Sequence, residues 1–221
     1  RPSHSDSGYR VSEPSRFPRW HSPAALMAAL LLLQAPLWLN PGYFAHDELQ
    51  WAARADTSTP GQLPWTSFFD VAWFQFRPLT FNLWLLLSHF LFESPRLFHA
   101  VCVLAGSFNA LLLADVLRRA GCRAQVASGA ALVFALGPFA AWVHGWVGCL
   151  GDLLWVGFGL GTVAVLQRQA VSPEHSASVI FAALAAVLAT LLALLSKEAA
   201  LAIPALLALG TLLLRFPRHW L

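Results

Sequence analysis

Long apolar runs separated by short polar interruptions dominate the chain, and their lengths set the first expectation. A helix rising 1.5 Å per residue needs roughly 20 apolar residues to cross hydrocarbon. On that measure the pattern predicts six spans, at residues 23–40, 97–116, 125–147, 153–166, 177–195 and 199–214. Gly137-Pro138 interrupts the third run and predicts a kink or break there, with freed backbone groups that a neighbour or water must satisfy. Residues 41–96 are neither a span nor an ordinary hydrophilic loop: they carry Trp51, Trp65, Trp73 and Trp84, the aromatic profile of chain lying at a membrane surface. Within them, the apolar run 81–92 is too short to cross and predicts an interfacial or re-entrant helix. Gly157 and Gly161 place two small residues on one helix face, a spacing that favours close packing.

Composition agrees with the pattern. The chain is 57% hydrophobic and only 11% charged, with a mean hydropathy of +0.60, whereas a soluble domain carries about 25% charged residues. An all-α polytopic membrane protein is the expected class. Residues 1–20, rich in Ser, Pro and Arg, predict a disordered basic cytoplasmic tail. No small-residue cleavage site follows, so the first span reads as an anchor. The remainder, 21–221, reads as one transmembrane module. Cys102, Cys122 and Cys149 lie in or beside apolar runs without metal-ligand spacing and read as packing residues. No basic, aromatic-interleaved surface for nucleic acid is present.

Basic residues set an orientation. With a cytoplasmic N-terminus ten Lys and Arg fall inside, and only Arg54, Arg77, Arg96 and Lys197 fall outside. Asp47-Glu48, Arg77, Asp152 and Lys197-Glu198 then gather on the extracytoplasmic side from three separate loops. Ionisable groups beside a bilayer are costly and are usually kept for substrate, ion or proton handling. Bland roles compete for each. Asp47 and Asp152 suit helix N-caps, and Lys197 suits a snorkelling interfacial lysine. His46 beside Asp47 and Glu48 is a weak candidate set for a divalent metal such as Mg or Mn. His89 and His99 read as packing residues.

The segment from Phe76-Arg-Pro-Leu-Thr-Phe-Asn to Ser94-Pro-Arg-Leu-Phe-His99 resembles the Arg-Pro-Leu to Phe-His stretch of the GT-C integral-membrane glycosyltransferases. It is most similar to the branch of the tetratricopeptide-bearing O-mannosyltransferases and their bacterial relatives. Asp47-Glu48 resembles that family's acidic pair in the first external loop. Gly137-Pro-Phe through Gly151-Asp-Leu-Leu154 is similar to its His-Pro to Asp-Leu-Leu segment, and Leu195-Ser-Lys-Glu-Ala-Ala200 to its Ser-Lys-Glu motif. The chain departs from the pattern at Gly137, Trp142 and Leu150, where the branch carries histidine, glutamate and arginine.

The resemblance implies a GT-C-like bundle and transfer of a sugar from a polyprenyl-phosphate donor to a protein or glycan acceptor on the outer face. It implies Asp47 as the base, with Glu48 beside it. The physical demands of that reaction suit Arg77, Lys197 and Arg96 as cations facing the lipid phosphate, with Asp152 and Glu198 as further binding groups. A bacterial inner membrane, with the site facing the periplasm, is the expected location. A non-catalytic scaffold or a transporter of a lipid-linked substrate is the alternative.

Overall fold

Prolines decide where half of these helices begin. Pro23, Pro36, Pro78, Pro95 and Pro138 each stand in the first turn of a helix, where a preset φ helps and the missing N–H costs nothing. The computed structural model describes residues 22–41, 46–56, 76–171 and 176–215. Nearly all of these are helical and none is in a strand. The elements are α1 Pro23–Leu33, α2 Ala35–Leu39, α3 His46–Asp56, α4 Pro78–Leu91, α5 Pro95–Arg119, α6 Ala124–Leu136, α7 Pro138–Gly145, α8 Leu150–Val171, α9 Ser176–Ser196 and α10 Ala202–Arg215. Single 3-10 turns, Val147–Cys149 and Glu198–Leu201, lead into α8 and α10. The expected tail, 1–20, and residues 57–75 of the expected cap lie outside the described residues.

Three helices among the described residues are long and apolar enough to cross a membrane, and α6 with α7 makes a fourth if the bent pair counts as one span. The protein is an all-α membrane protein on this evidence. The six-span expectation is met by these four runs, the bent pair included, and its other two fall short of that length for physical reasons. Its first span is broken at Gln34, because Pro36 cannot continue the hydrogen-bond ladder of α1. Its last is a shorter apolar helix, Glu198–Gly210. The kink expected at Gly137-Pro138 is present as a 59° bend between α6 and α7. The short apolar run of the first loop is helical, as α4.

Helix α5 is the hub: α1, α2, α4, α6, α7 and α8 all pack against it. Against α1 and α6 the contact is built from Ala110, Ala114, Ala127, Ala131 and Ala135 around Leu26 and Leu30. Lipid tails are as apolar as leucine, so small side chains that let backbones approach are what such an interface gains from. A second core gathers Trp84, Phe98, Cys102, Val147, Leu150 and Leu153, with the Trp84 Nε1–H donating to the Val147 carbonyl at 2.9 Å. The expected Gly157–Gly161 packing pair is corrected. Gly157 lies against Asn109 and Gly159 against Ile203, on different sides of α8, while Gly161 has nothing within 4 Å of a virtual Cβ. Helix α9 leaves Ile180, Phe181, Leu184 and Leu188 exposed, as a lipid-facing surface does.

Charge separates along the bundle. Asp152 is in the first turn of α8, whereas Arg168 lies near its other end. Beside Arg168, the Gln167 amide donates to the Val116 carbonyl at 3.2 Å, which places the Arg118-Arg119 end of α5 at that same end.

Candidate functional site

Three chain segments meet at the Asp152 end around one glycine. A Cβ on Gly151 would lie 3.1 Å from Thr80 Oγ1 and 3.2 Å from the Ser196 carbonyl oxygen, so the start of α8 approaches α4 and the end of α9 closely, and a glycine eases that approach. The Thr80 hydroxyl donates to that same Ser196 carbonyl at 2.7 Å. Asp152 directly follows Gly151, and Lys197 directly follows Ser196.

Lys197 stands between α9 and the 3-10 turn with an extended backbone, φ −161° and ψ 141°. Its Nζ donates to both Asp152 carboxylate oxygens at 2.6 Å, and the Trp155 Nε1–H adds a longer bond to Asp152 at 3.3 Å. Glu198 takes the opposite partner: Arg77 donates through Nε at 2.6 Å and Nη2 at 2.8 Å, a two-pronged grip. Adjacent residues of opposite charge thus do not pair with each other, and each ties down a different element. Arg77, Asp152 and Lys197 retain 21%, 27% and 24% side-chain exposure and Glu198 retains 55%. The hydrogen bonds from Arg77 hold the Glu198 carboxyl down to about 2.

Four of the seven site residues expected from sequence therefore come together from three separate segments. The arrangement revises their roles, because neither Arg77 nor Lys197 is an unengaged cation. Each is neutralised by a carboxylate and keeps only its remaining N–H donors for another acceptor. Asp152 is inside the first turn of α8 and bonded by Lys197 and Trp155, not an N-cap. Arg96 is exposed at the start of α5 and has no bond to a described residue.

Glu48 is 3% exposed. Its helix, α3, packs on α4 and on the Val147–Cys149 turn that precedes Asp152, and Glu48 interacts electrostatically with Cys149 and Cys102. Helix α3 starts at His46, which puts Asp47 inside its first turn. The side chains of His46 and Asp47 lie outside the described residues, and with them the weak metal set. Among the described residues no group of three or more potential metal ligands occurs.

Two features had no part in the expectations. One is a groove of about 460 Å³ at the α6–α7 bend, lined by Gly137, Pro138, Phe139, Asn109, His144 and Asp152 among others, so that it begins where the charged cluster ends. The other is a buried polar crossing. The His144 Nδ1–H donates to Gln34 Oε1 at 2.5 Å, and the Gln34 amide donates to Ser107 Oγ at 3.1 Å and to the Leu30 carbonyl at 3.2 Å. All three side chains are at most 2% exposed. The available signal was a polar residue inside an apolar run and close to proline or glycine, which Gln34 and His144 both are.

No protein-family model, no curated protein and no solved structure matches this chain.

Proposed function

We propose that this protein is a membrane glycosyltransferase of the GT-C type, moving a sugar from a polyprenyl-phosphate donor to an acceptor hydroxyl of a protein or glycan. The observation that carries the proposal is the convergence of Arg77, Asp152, Lys197 and Glu198 at the end of the bundle opposite the basic helix ends, with the helix of Asp47 and Glu48 packed beside them. In the reaction the acceptor oxygen attacks the anomeric carbon of the sugar, and the bond from that carbon to the phosphate oxygen breaks. The acceptor proton passes to Asp47, and the polyprenyl phosphate leaves with the electron pair. Negative charge grows on the leaving phosphate, and N–H donors aimed at it lower the barrier. Arg77 and Lys197 supply them, each held in place by its carboxylate partner. A divalent cation, Mg or Mn, would sit with the Asp47-Glu48 pair if one takes part.

In this proposal the chain adopts six spans in a bacterial inner membrane with a cytoplasmic N-terminus, and the charged cluster faces the periplasm. The test is sugar transfer from a panel of polyprenyl-phosphate donors in membranes containing the protein, with Asp47→Asn at matched expression. Transfer that is lost in the variant supports the proposal. Equal transfer by both forms removes Asp47 from the mechanism, and no transfer by either rejects the enzyme.

A second function has an observation of its own. The α1–α2 break at Gln34 meets His144, in the last turn of α7, beside Ser107, halfway along α5. Broken helices with polar groups at mid-span are what a transporter of a lipid-linked substrate uses. Uptake of a labelled lipid-linked sugar by sealed vesicles, without transfer, would select it.

A further inference from the structure

The groove at the α6–α7 bend is a site in its own right. One wall is the bend itself, with Val133, Phe134, Pro138 and Phe139; the facing wall is Leu153 and Val156 of α8. Its rim is open: Val133 and Phe139 are each 75% exposed. In a helix packed against water such residues would face inward, with the polar ones outside. Helix α7 does the reverse, burying His144 at 2% exposure and presenting Phe139 and Trp142 outward. The surface beyond the rim is therefore continuous with the lipid-facing surface of the spans.

The groove's charged lining is confined to one place. Asp152 is the charged residue among those lining it, and it is held by Lys197 in a pair with no net charge. Beyond that pair lies a second balanced pair, Arg77–Glu198. Apolar walls ending at balanced charges, with N–H donors and carboxylate oxygens side by side, match an amphiphile whose head carries both a phosphate and an ammonium.

We propose that this groove takes one acyl chain of a zwitterionic phospholipid, which enters sideways from the bilayer at the Gly137-Pro138 bend and sets its head against Asp152 and Lys197. The head position shares Asp152 and Lys197 with the cluster of the proposed transfer reaction, but lipid binding does not require that reaction. A lipid seated there stands beside the charged cluster and makes its local environment depend on bilayer composition.

The test uses the full chain in vesicles of phosphatidylcholine and phosphatidylethanolamine. The probe is a phosphatidylethanolamine carrying a photoreactive diazirine midway along one acyl chain. Cross-links should concentrate in residues 133–143 and 153–156, and Ala140→Phe with Val156→Phe, which fill the groove from both walls, should lower them about tenfold, a change equivalent to 1.4 kcal/mol. Leu184→Phe, on the exposed face of α9, should leave them unchanged and controls for folding. Labels spread evenly over α6, α8 and α9, or unchanged on filling the groove, would overturn the proposal. So would displacement by phosphatidylglycerol at lower concentration than by unlabelled phosphatidylethanolamine, because the groove would then select an anionic lipid.

Discussion

Two polar regions of this molecule handle desolvation in opposite ways. At the Asp152 end the groups are fully charged, partly exposed and paired: Lys197 with Asp152, Arg77 with Glu198. At the crossing beside Ser107 the groups are an amide, an imidazole and a hydroxyl, all buried and bonded to each other. Moving an ion into a low-dielectric interior costs several kcal/mol even after relaxation, whereas a hydrogen-bonded amide or hydroxyl loses little. Charge is affordable at the end of the bundle, where water reaches it, and the interior is held together by neutral hydrogen bonds and close packing. The stabilising role of the crossing is to tie two broken helices, α1–α2 and α6–α7, to the continuous α5.

The largest test of that contrast is steric. A Cβ on Gly106 would stand 2.2 Å from His144 Nε2, so Gly106→Ala must displace a ring that Gln34 holds. It should cost about 3 kcal/mol of stability, read as a lower unfolding temperature in detergent, and His144→Ala in the same chain should recover part of it. If Gly106→Ala is silent, the ring is not locked and the crossing does not order the breaks.

Next is the crossing's chemistry. Gln34→Leu keeps the volume but removes the acceptor of His144 and the donor to Ser107. A cost of about 1 to 2 kcal/mol is expected, since hydrogen bonds in membranes are individually modest and the groups left behind are buried. The same substitution should leave lipid cross-linking at residues 153–156 unaltered if the two regions are independent.

At the charged end, Lys197→Met leaves Asp152 unpaired at 27% side-chain exposure and should cost about 1 kcal/mol. The pair Lys197→Met with Asp152→Asn should cost less than Lys197→Met alone, because the orphaned charge is gone. Additive losses would mean that the two side chains are not coupled.

The smallest effect is a pH dependence. The folded Glu198 carboxyl is held down from 4.5 to about 2, first by its hydrogen bonds from Arg77. Its contribution is therefore complete above pH 4.5 and is lost as pH falls from there through about 2. Arg77→Gln should abolish this acid-side slope while changing neutral stability little, since an exposed pair is screened by solvent and salt. An unchanged slope in the variant would assign the acid sensitivity to other carboxylates.

Much of the charged end was legible in the residue pattern. Ionisable residues are so rare in this chain that Arg77, Asp152 and Lys197-Glu198 stood out, and the alternation of spans placed them on one side. Their pairing was not legible, because it depends on the approach of three segments at Gly151 and on the extended backbone at Lys197. The bend at Gly137-Pro138 followed from proline chemistry. The break at Gln34 rested on the same chemistry at Pro36, but an apolar run of ordinary span length concealed it.

The sequence by itself determined a helical membrane protein, the proline-set helix starts and the placing of Arg118, Arg119 and Arg168 away from the Asp152 end, because these follow from local hydrogen bonding and from the cost of moving charge and backbone out of water. Only the tertiary structure decided which carboxylate each cation meets, that His144 reaches Gln34 across the bundle, and that a groove opens at the bend. Those depend on contacts between residues up to 121 positions apart, as for Arg77 and Glu198, and no local pattern encodes the distance across which two helices close.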